Sequence, residues 1–254
     1  MAYLTWIGDA DLRRELQVIL SAAKGAKQEA ELDFEKNVID PFAMIFEMYG
    51  FGISDFSDWK AQELGRKAQK SLANKFGTFH QGILGSIHGW EDLGTGSTVD
   101  LVNYEKKIIA EVKNKYNTTK GDYKSALYET LEGLITPKAS KYHGFTAYYV
   151  EVIPKPKRGQ PQNYDEEFTP SDNKKGASKP ANPKIRVIDG QSFYKLATGE
   201  SSALLDLFES LPKVLDSMCG DSPAMVRDTD PLSASALDHM EYYFQRAWKS
   251  SDGG

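Results

Sequence analysis

The stretch Thr98-Val99-Asp100-Leu101-Val102-Asn103-Tyr104-Glu105-Lys106-Lys107-Ile108-Ile109-Ala110-Glu111-Val112-Lys113 decides how the chain is read. Its β-branched and apolar residues fall in two short runs, which predict strands over 99–102 and 108–113 closed by a loop at 104–107. An antiparallel register that pairs Asn103 with Ile108 also sets Asp100 opposite Glu111. Two carboxylates that close make a divalent-metal site. Because strand side chains alternate, Ile109, Glu111 and Lys113 share one face, and Ile108, Ala110 and Val112 take the other, where they can pack against helices. Lys113 then flanks the carboxylates.

The acid-x-lysine spacing by itself decides nothing, since Asp58-Trp59-Lys60, Glu105-Lys106-Lys107, Asp122-Tyr123-Lys124 and Asp172-Asn173-Lys174 have it too. Only Glu111 and Lys113 lie in a continuous apolar β-type run matched by an upstream strand that begins with an acid. The competing reading is an edge strand with a solvated charged face. Downstream, Asn114, Lys115, Asn117, Thr118, Thr119 and Lys120 supply amide, hydroxyl and ammonium donors ahead of a helix expected over 122–134. Such a segment suits a phosphate backbone.

On these residues the chain resembles type II restriction endonucleases of the PD-(D/E)xK superfamily, and more narrowly the AvaII-like group that cuts GGWCC or GGNCC sites. Val99-Asp100 stands where the superfamily has Pro-Asp. The resemblance extends to Asn37-Val38-Ile39-Asp40-Pro41-Phe42, His80-Gln81-Gly82-Ile83-Leu84-Gly85, Gly89-Trp90 and Glu111-Val112-Lys113-Asn114-Lys115. It implies double-stranded DNA as substrate, Mg²⁺ as cofactor, ends with 5′-phosphate and 3′-hydroxyl, a homodimer acting on a palindrome, and a cognate DNA methyltransferase as genetic partner. In that reading Asp100, Glu111 and the main-chain carbonyl of Val112 hold Mg²⁺, and Lys113 orients or deprotonates the attacking water. Gln81 and Glu47 are candidates to complete the site, and His80 is a candidate phosphate contact; each has a structural role as its alternative. Two other functions stay open: a structure-specific repair or junction-resolving nuclease of the same superfamily, and a non-catalytic DNA-binding protein in which Glu111 and Lys113 form a surface pair.

Composition fits such a protein without requiring it. The chain has 254 residues, 40% of them hydrophobic and 11% aromatic, enough for one sizeable core. Its net charge of -5 is unexpected for a DNA-binding protein, but the charge is unevenly spread. Residues 103–187 hold 16 Lys and Arg against 10 Asp and Glu, while the remainder holds 15 against 26. One basic cleft on an acidic body is the functional reading and chance loop composition the alternative. A single cysteine, Cys219, leaves no disulfide framework and points to the cytoplasm. No signal-peptide pattern or bilayer-length apolar run is present, so no membrane association is expected. The four histidines lack HExxH spacing, and Gly94-Thr95-Gly96-Ser97-Thr98 lacks the Gly-Lys-Ser/Thr of a phosphate loop.

Periodicity predicts helices over 9–30, 37–49, 57–84, 122–134, 201–218 and 233–248, and further strands over 145–153 and 184–188. The polar segment 154–183 reads as a long loop that would bring Lys155, Lys157, Arg158, Gln160, Gln162, Asn163, Lys174 and Lys175 into a DNA groove. Arg186 has two readings, a cleft residue or a structural ion pair. The expected fold is α/β: a mixed central β-sheet flanked by helices, a restriction-endonuclease-like core with helical N- and C-terminal segments. One nuclease domain is expected over 1–254, mainly helical in 1–96 and 191–254, with the catalytic hairpin, strands and loop in 97–190.

Overall fold

In the computed structural model, which describes residues 2–36, 38–94, 96–118, 121–155, 163–172, 177–178, 181–221 and 232–248, the quoted stretch forms the antiparallel hairpin of β2 (Leu101–Asn103) and β3 (Ile108–Lys115). Its register is the expected one, with Asn103 opposite Ile108 and Leu101 opposite Ala110. The turn is set locally. Asn103 Oδ1 accepts the Lys106 amide at 2.8 Å, and Lys107 adopts a left-handed conformation with φ 54°. The ladder runs one residue past β2, because the Asp100 amide donates to the Ala110 carbonyl at 3.0 Å.

Around this hairpin the sheet grows in both directions. A two-residue strand, β1 (Glu91–Asp92), pairs antiparallel with β2, placing Asp92 opposite Leu101. On the other side β4 (Thr146–Ile153) and β8 (Ile185–Asp189) run parallel to β3. The crossover from β3 to β4 is the helix α4 (Gly121–Ile135). The outer edge is β5 (Asp165–Glu167), antiparallel to β8, which gives the order β1-β2-β3-β4-β8-β5. Two further two-residue strands, β6 (Ser171–Asp172) and β7 (Ala177–Ser178), pair with each other. This is the mixed, helix-flanked sheet read from the sequence, with β1 added at one edge and with 154–183 not wholly irregular. Asp165, Glu166 and Glu167 are all exposed and carry no apolar period, so β5 is recruited by backbone pairing with β8 and by Phe168, which is buried in the core.

Both faces of the sheet are covered, as continuous apolar strands require. Leu127, Tyr128, Leu131 and Ile135 of α4 pack on Ile109, Ala147, Tyr149 and Ile185, with Tyr142, Phe145 and Phe168 closing the cluster. The opposite face meets α5 (Gly190–Thr198), a helix the sequence reading missed. Its Phe193 ring lies 5.3 Å from Trp90 and 5.8 Å from Tyr148. Asp189 caps α5 by accepting the Ser192 amide at 3.1 Å. Gly190 is demanded by the approach of α5 to β4, because a Cβ there would stand 2.5 Å from the Val152 carbonyl oxygen and 2.9 Å from its Cα.

The remaining helices are α1 (Asp9–Leu32), α2 (Pro41–Phe51), α3 (Phe56–Gly85), α6 (Ala203–Asp221) and α7 (Ala234–Trp248). Helix α2 starts later than expected because Asp40 is its N-cap, accepting the Phe42 and Ala43 amides, with Pro41 at the first helical position. Asn37 lies outside the described residues. The chain divides into two compact units: Met1–Arg13 with His80–Gly254, which contains the sheet, and the helical Arg14–Phe79. Within the helical unit Trp59 is buried and donates its indole N–H to Glu47 at 2.8 Å, and the Lys60 ammonium sits 4.4 Å from the centre of the buried Phe34 ring. No helix among the described residues is long and apolar enough to cross a membrane.

Gly190→Ala should cost about 2 kcal/mol or more, since backbone atoms of β4 cannot swing aside, whereas Gly133→Ala in α4, whose Cβ would meet nothing within 4 Å, should stabilise by roughly 0.5–1 kcal/mol. Urea unfolding of the two variants beside the wild type measures both. His80, partly buried with Nδ1 2.8 Å from the Tyr194 hydroxyl, has its pKa pulled down by desolvation to about 4. The unfolded chain therefore binds the proton first, and stability present above pH 6.5 is lost as pH falls towards 4, by about 1–2 kcal/mol between pH 7.5 and 5. His80→Gln should flatten that slope in urea melts; an unchanged slope would refute the assignment.

Candidate active site

The two strands of the hairpin bring Asp100, Glu111 and Lys113 together. Asp100 Oδ2 accepts the Val112 amide at 2.7 Å, so the carboxylate is fastened to β3 at the residue between Glu111 and Lys113. Glu111 is 7% exposed and accepts the Lys113 ammonium at 2.6 Å. Their neighbours across β4 are Tyr149 beside Glu111 and Glu151 beside Lys113. The site thus sits near the carboxyl ends of the parallel strands, on the sheet face covered by α4.

Burial sets the electrostatics. Desolvation pushes the Asp100 carboxyl above the usual carboxylate range, the Val112 amide and Lys113 oppose it, and Asp92 adds a further upward push. Glu111 is raised by desolvation and by Asp100, against the bond from Lys113. Desolvation alone would lower Lys113, but the hydrogen bond and charge of Glu111, with Asp100 and Tyr123, outweigh it and raise the pKa. Lys113 is accordingly held as an ammonium. Among the described residues no three His, Cys, Asp or Glu side chains converge as a metal cluster. The donor set nevertheless fits a hard cation such as Mg²⁺, which takes one or two carboxylates and keeps several waters. A divalent charge would relieve the mutual disfavour of the Asp100 and Glu111 carboxylates.

One acid near this site was not singled out in the sequence. Asp92 accepts Gln81 Nε2 at 2.6 Å and the Gly94 amide at 2.8 Å, and the Leu93 amide donates to the Asp100 carbonyl at 2.9 Å. Gln81 thereby reaches the neighbourhood of Asp100 through Asp92. Gly85 is part of the same fit, since a Cβ there would lie 2.6 Å from Asp92 Cβ and 2.9 Å from its amide nitrogen. The only sequence signal was this glycine at the end of a helix.

The other expected site residues divide. Asn114 is half-buried, and Lys115, Asn117 and Thr118 are exposed at the end of β3. Thr118 Oγ1 donates to the Lys115 carbonyl at 2.7 Å, which closes the turn after the strand. Thr119, Lys120, Lys157 and Arg158 lie outside the described residues, as do Gln160, Gln162, Lys174 and Lys175. Asn163 donates to Gln191 at 3.0 Å. Arg186 forms the structural ion pair, with Nε on the Asp165 carboxylate and Nη2 on the Asp165 carbonyl at 2.6 Å. Glu47 belongs to the helical unit and accepts the Trp59 indole, and His80 faces Tyr194 of α5.

Comparison with known proteins identifies the family. The Eco47II restriction endonuclease family matches residues 4–220. The chain is 45% identical over 216 residues to the type II restriction enzyme Eco47II of Escherichia coli, covering 85% of this chain and 88% of that one. It is 32% identical over 217 residues to the type II restriction enzyme Sau96I of Staphylococcus aureus, covering 84% and 80%. Restriction endonucleases act on double-stranded DNA and are generally metal-dependent. With a match that takes in the whole hairpin, α4 and the parallel strands, the chain belongs to the Eco47II restriction endonuclease family.

Proposed function

We propose that this enzyme is a Mg²⁺-dependent type II restriction endonuclease of the PD-(D/E)xK superfamily, in the AvaII-like group, cutting both strands of a short GGWCC or GGNCC palindrome. The observation that carries the reading is the hairpin, where Asp100 is bound to the Val112 amide and Glu111 to the Lys113 ammonium. Asp100, one oxygen of Glu111 and the Val112 carbonyl would hold Mg²⁺, whose chemistry there is a bound water of lowered pKa and positive charge beside the scissile phosphate.

The protein's own groups do the rest. Asp100 and Glu111 are fixed by hydrogen bonds before substrate arrives, which removes reorganisation from the reaction step. Lys113, an ammonium, orients the attacking water and stabilises charge on the phosphate; its raised pKa supports this role over that of a general base. Water adds to phosphorus, the bond to the 3′-oxygen breaks, and that oxygen leaves with a proton, giving 5′-phosphate and 3′-hydroxyl ends. Asn114, Lys115, Asn117, Thr118, Thr119 and Lys120 follow β3 and would track the DNA backbone, with Lys157 and Arg158 reaching the groove. Two cuts related by the symmetry of a palindrome call for a homodimer, and a cognate methyltransferase protects host sites.

Digestion of unmethylated phage DNA with Mg²⁺ should give discrete fragments whose sequenced ends share one GG-to-CC palindrome; a smear, or cuts confined to branched DNA, would refute the specificity. Asp100→Ala, Glu111→Ala and Lys113→Ala should each lower cleavage by about 10³-fold or more while sequence-selective binding survives in a gel-shift assay with Ca²⁺. Alanine variants that still cut at the wild-type rate would remove these residues from the mechanism.

A further inference from the structure

One strand away from Lys113 lies a second carboxylate that the proposed chemistry does not use. Glu151 is the register partner of Lys113 on β4, and Asp189 is the partner of Glu151 on β8, so the three form one row across the sheet. Neighbouring strands run about 4.8 Å apart, which puts Glu151 within the reach of the Lys113 side chain. Glu151 is 5% exposed, and a carboxylate so buried is costly unless a cation or hydrogen-bond donors compensate it. Yet Lys113 binds Glu111. The reason lies in two other side chains. Lys124 of α4 donates to Glu151 Oε1, and the Tyr164 hydroxyl donates to Oε2 at 2.6 Å, so both oxygens are occupied.

These partners are themselves held. Lys124 Nζ lies 5.2 Å from the centre of the Tyr149 ring, and Tyr149 is fully buried beside Glu111. The Tyr164 amide donates to Asp189 Oδ2 at 2.8 Å, which ties the segment before β5 to the end of β8. Burial and Glu151 push the Tyr164 phenol far up, so it remains a donor.

We propose that Lys124, assisted by Tyr164, is a positioning residue for the cleavage reaction: it occupies Glu151 and thereby leaves the Lys113 ammonium on Glu111, facing the scissile phosphate. This rests on the reading of Lys113 given above. Removing Lys124 frees a carboxylate beside Lys113 and draws the ammonium one strand sideways. A displacement on the order of an ångström at a reacting group costs about 10²-fold in rate.

The test is steady-state cleavage of plasmid DNA by the purified full chain. Lys124→Met should lower kcat by about 10- to 100-fold with KM within about threefold. Lys124→Arg, which keeps the ion pair, should stay near wild type. The decisive variant is Lys124→Met with Glu151→Gln: an amide no longer competes for the ammonium, so kcat should return to within about threefold of wild type. A merely structural pair would show no such rescue. Should Lys124→Met fail to fold in thermal melts, Tyr164→Phe supplies the same comparison, with a smaller kcat loss recovered by adding Glu151→Gln. Wild-type kcat in Lys124→Met, or a double variant no faster than the single, overturns the proposal. Lys113→Ala run in parallel separates the two readings: full cutting there refutes the site itself, whatever Lys124 does.

Discussion

The hydrogen bond from the Val112 amide to the Asp100 carboxylate fixes the rest of the site. Asp100 sits just before β2, where pairing through main-chain bonds is ending, and its own amide makes the last of them to Ala110. The side chain then takes over from the backbone and continues the pairing for one more residue of β3. A slip of one residue would turn Glu111 and Lys113 to the opposite face, into the layer occupied by Ala110 and Val112. The same contact that aims the first carboxylate therefore also guards the register that presents the second. Orientation of both is complete in the folded protein, which is what the proposed stabilisation of a reacting phosphate would require.

A protein of net charge -5 that handles a polyanion must separate its charges, and here the separation is on the scale of individual strands. At the head of the hairpin Asp92 disfavours charge on Asp100 and Asp100 disfavours it on Glu111, and the Lys113 ammonium answers Asp100 and Glu111. Burial makes this arrangement unfavourable for the carboxylates as they stand. The imbalance suits the proposed Mg²⁺, whose charge would answer the carboxylates beside the phosphate.

Much of this was legible in the sequence because it depended on local alternation. Asn103 with Ile108 and the shared face of Ile109, Glu111 and Lys113 follow from a period of two and a short turn, and they hold in the fold. Helix α4 and the parallel strands were likewise visible as apolar runs. What escaped depended on distant partners. Helix α5 has only nine residues and owes its place to Asp189 and the close fit of Gly190 on Val152. Strand β5 has no apolar residue, and β1 has two residues in a glycine-rich segment. The acid-x-lysine look-alikes are equally instructive. Lys107 takes the left-handed position of the hairpin turn, and Lys124 binds an acid on β4. Spacing along the chain could not distinguish these lysines from Lys113; burial and strand pairing do. Family membership then sets aside the reading of the Glu111 and Lys113 pair as a surface feature of a non-catalytic binder.

The acidic edge formed by Asp165, Glu166 and Glu167 bears on colloidal behaviour. A sheet with an open edge is a template on which further strands can add, and fibre growth begins from such edges. Addition to β5 would stack three consecutive carboxylates, Asp165 held by Arg186 among them, against an incoming strand. At the other end β1 offers two residues, too few to seed a ladder. Among the described residues, charge at one end of the sheet and brevity at the other oppose the addition of a further strand.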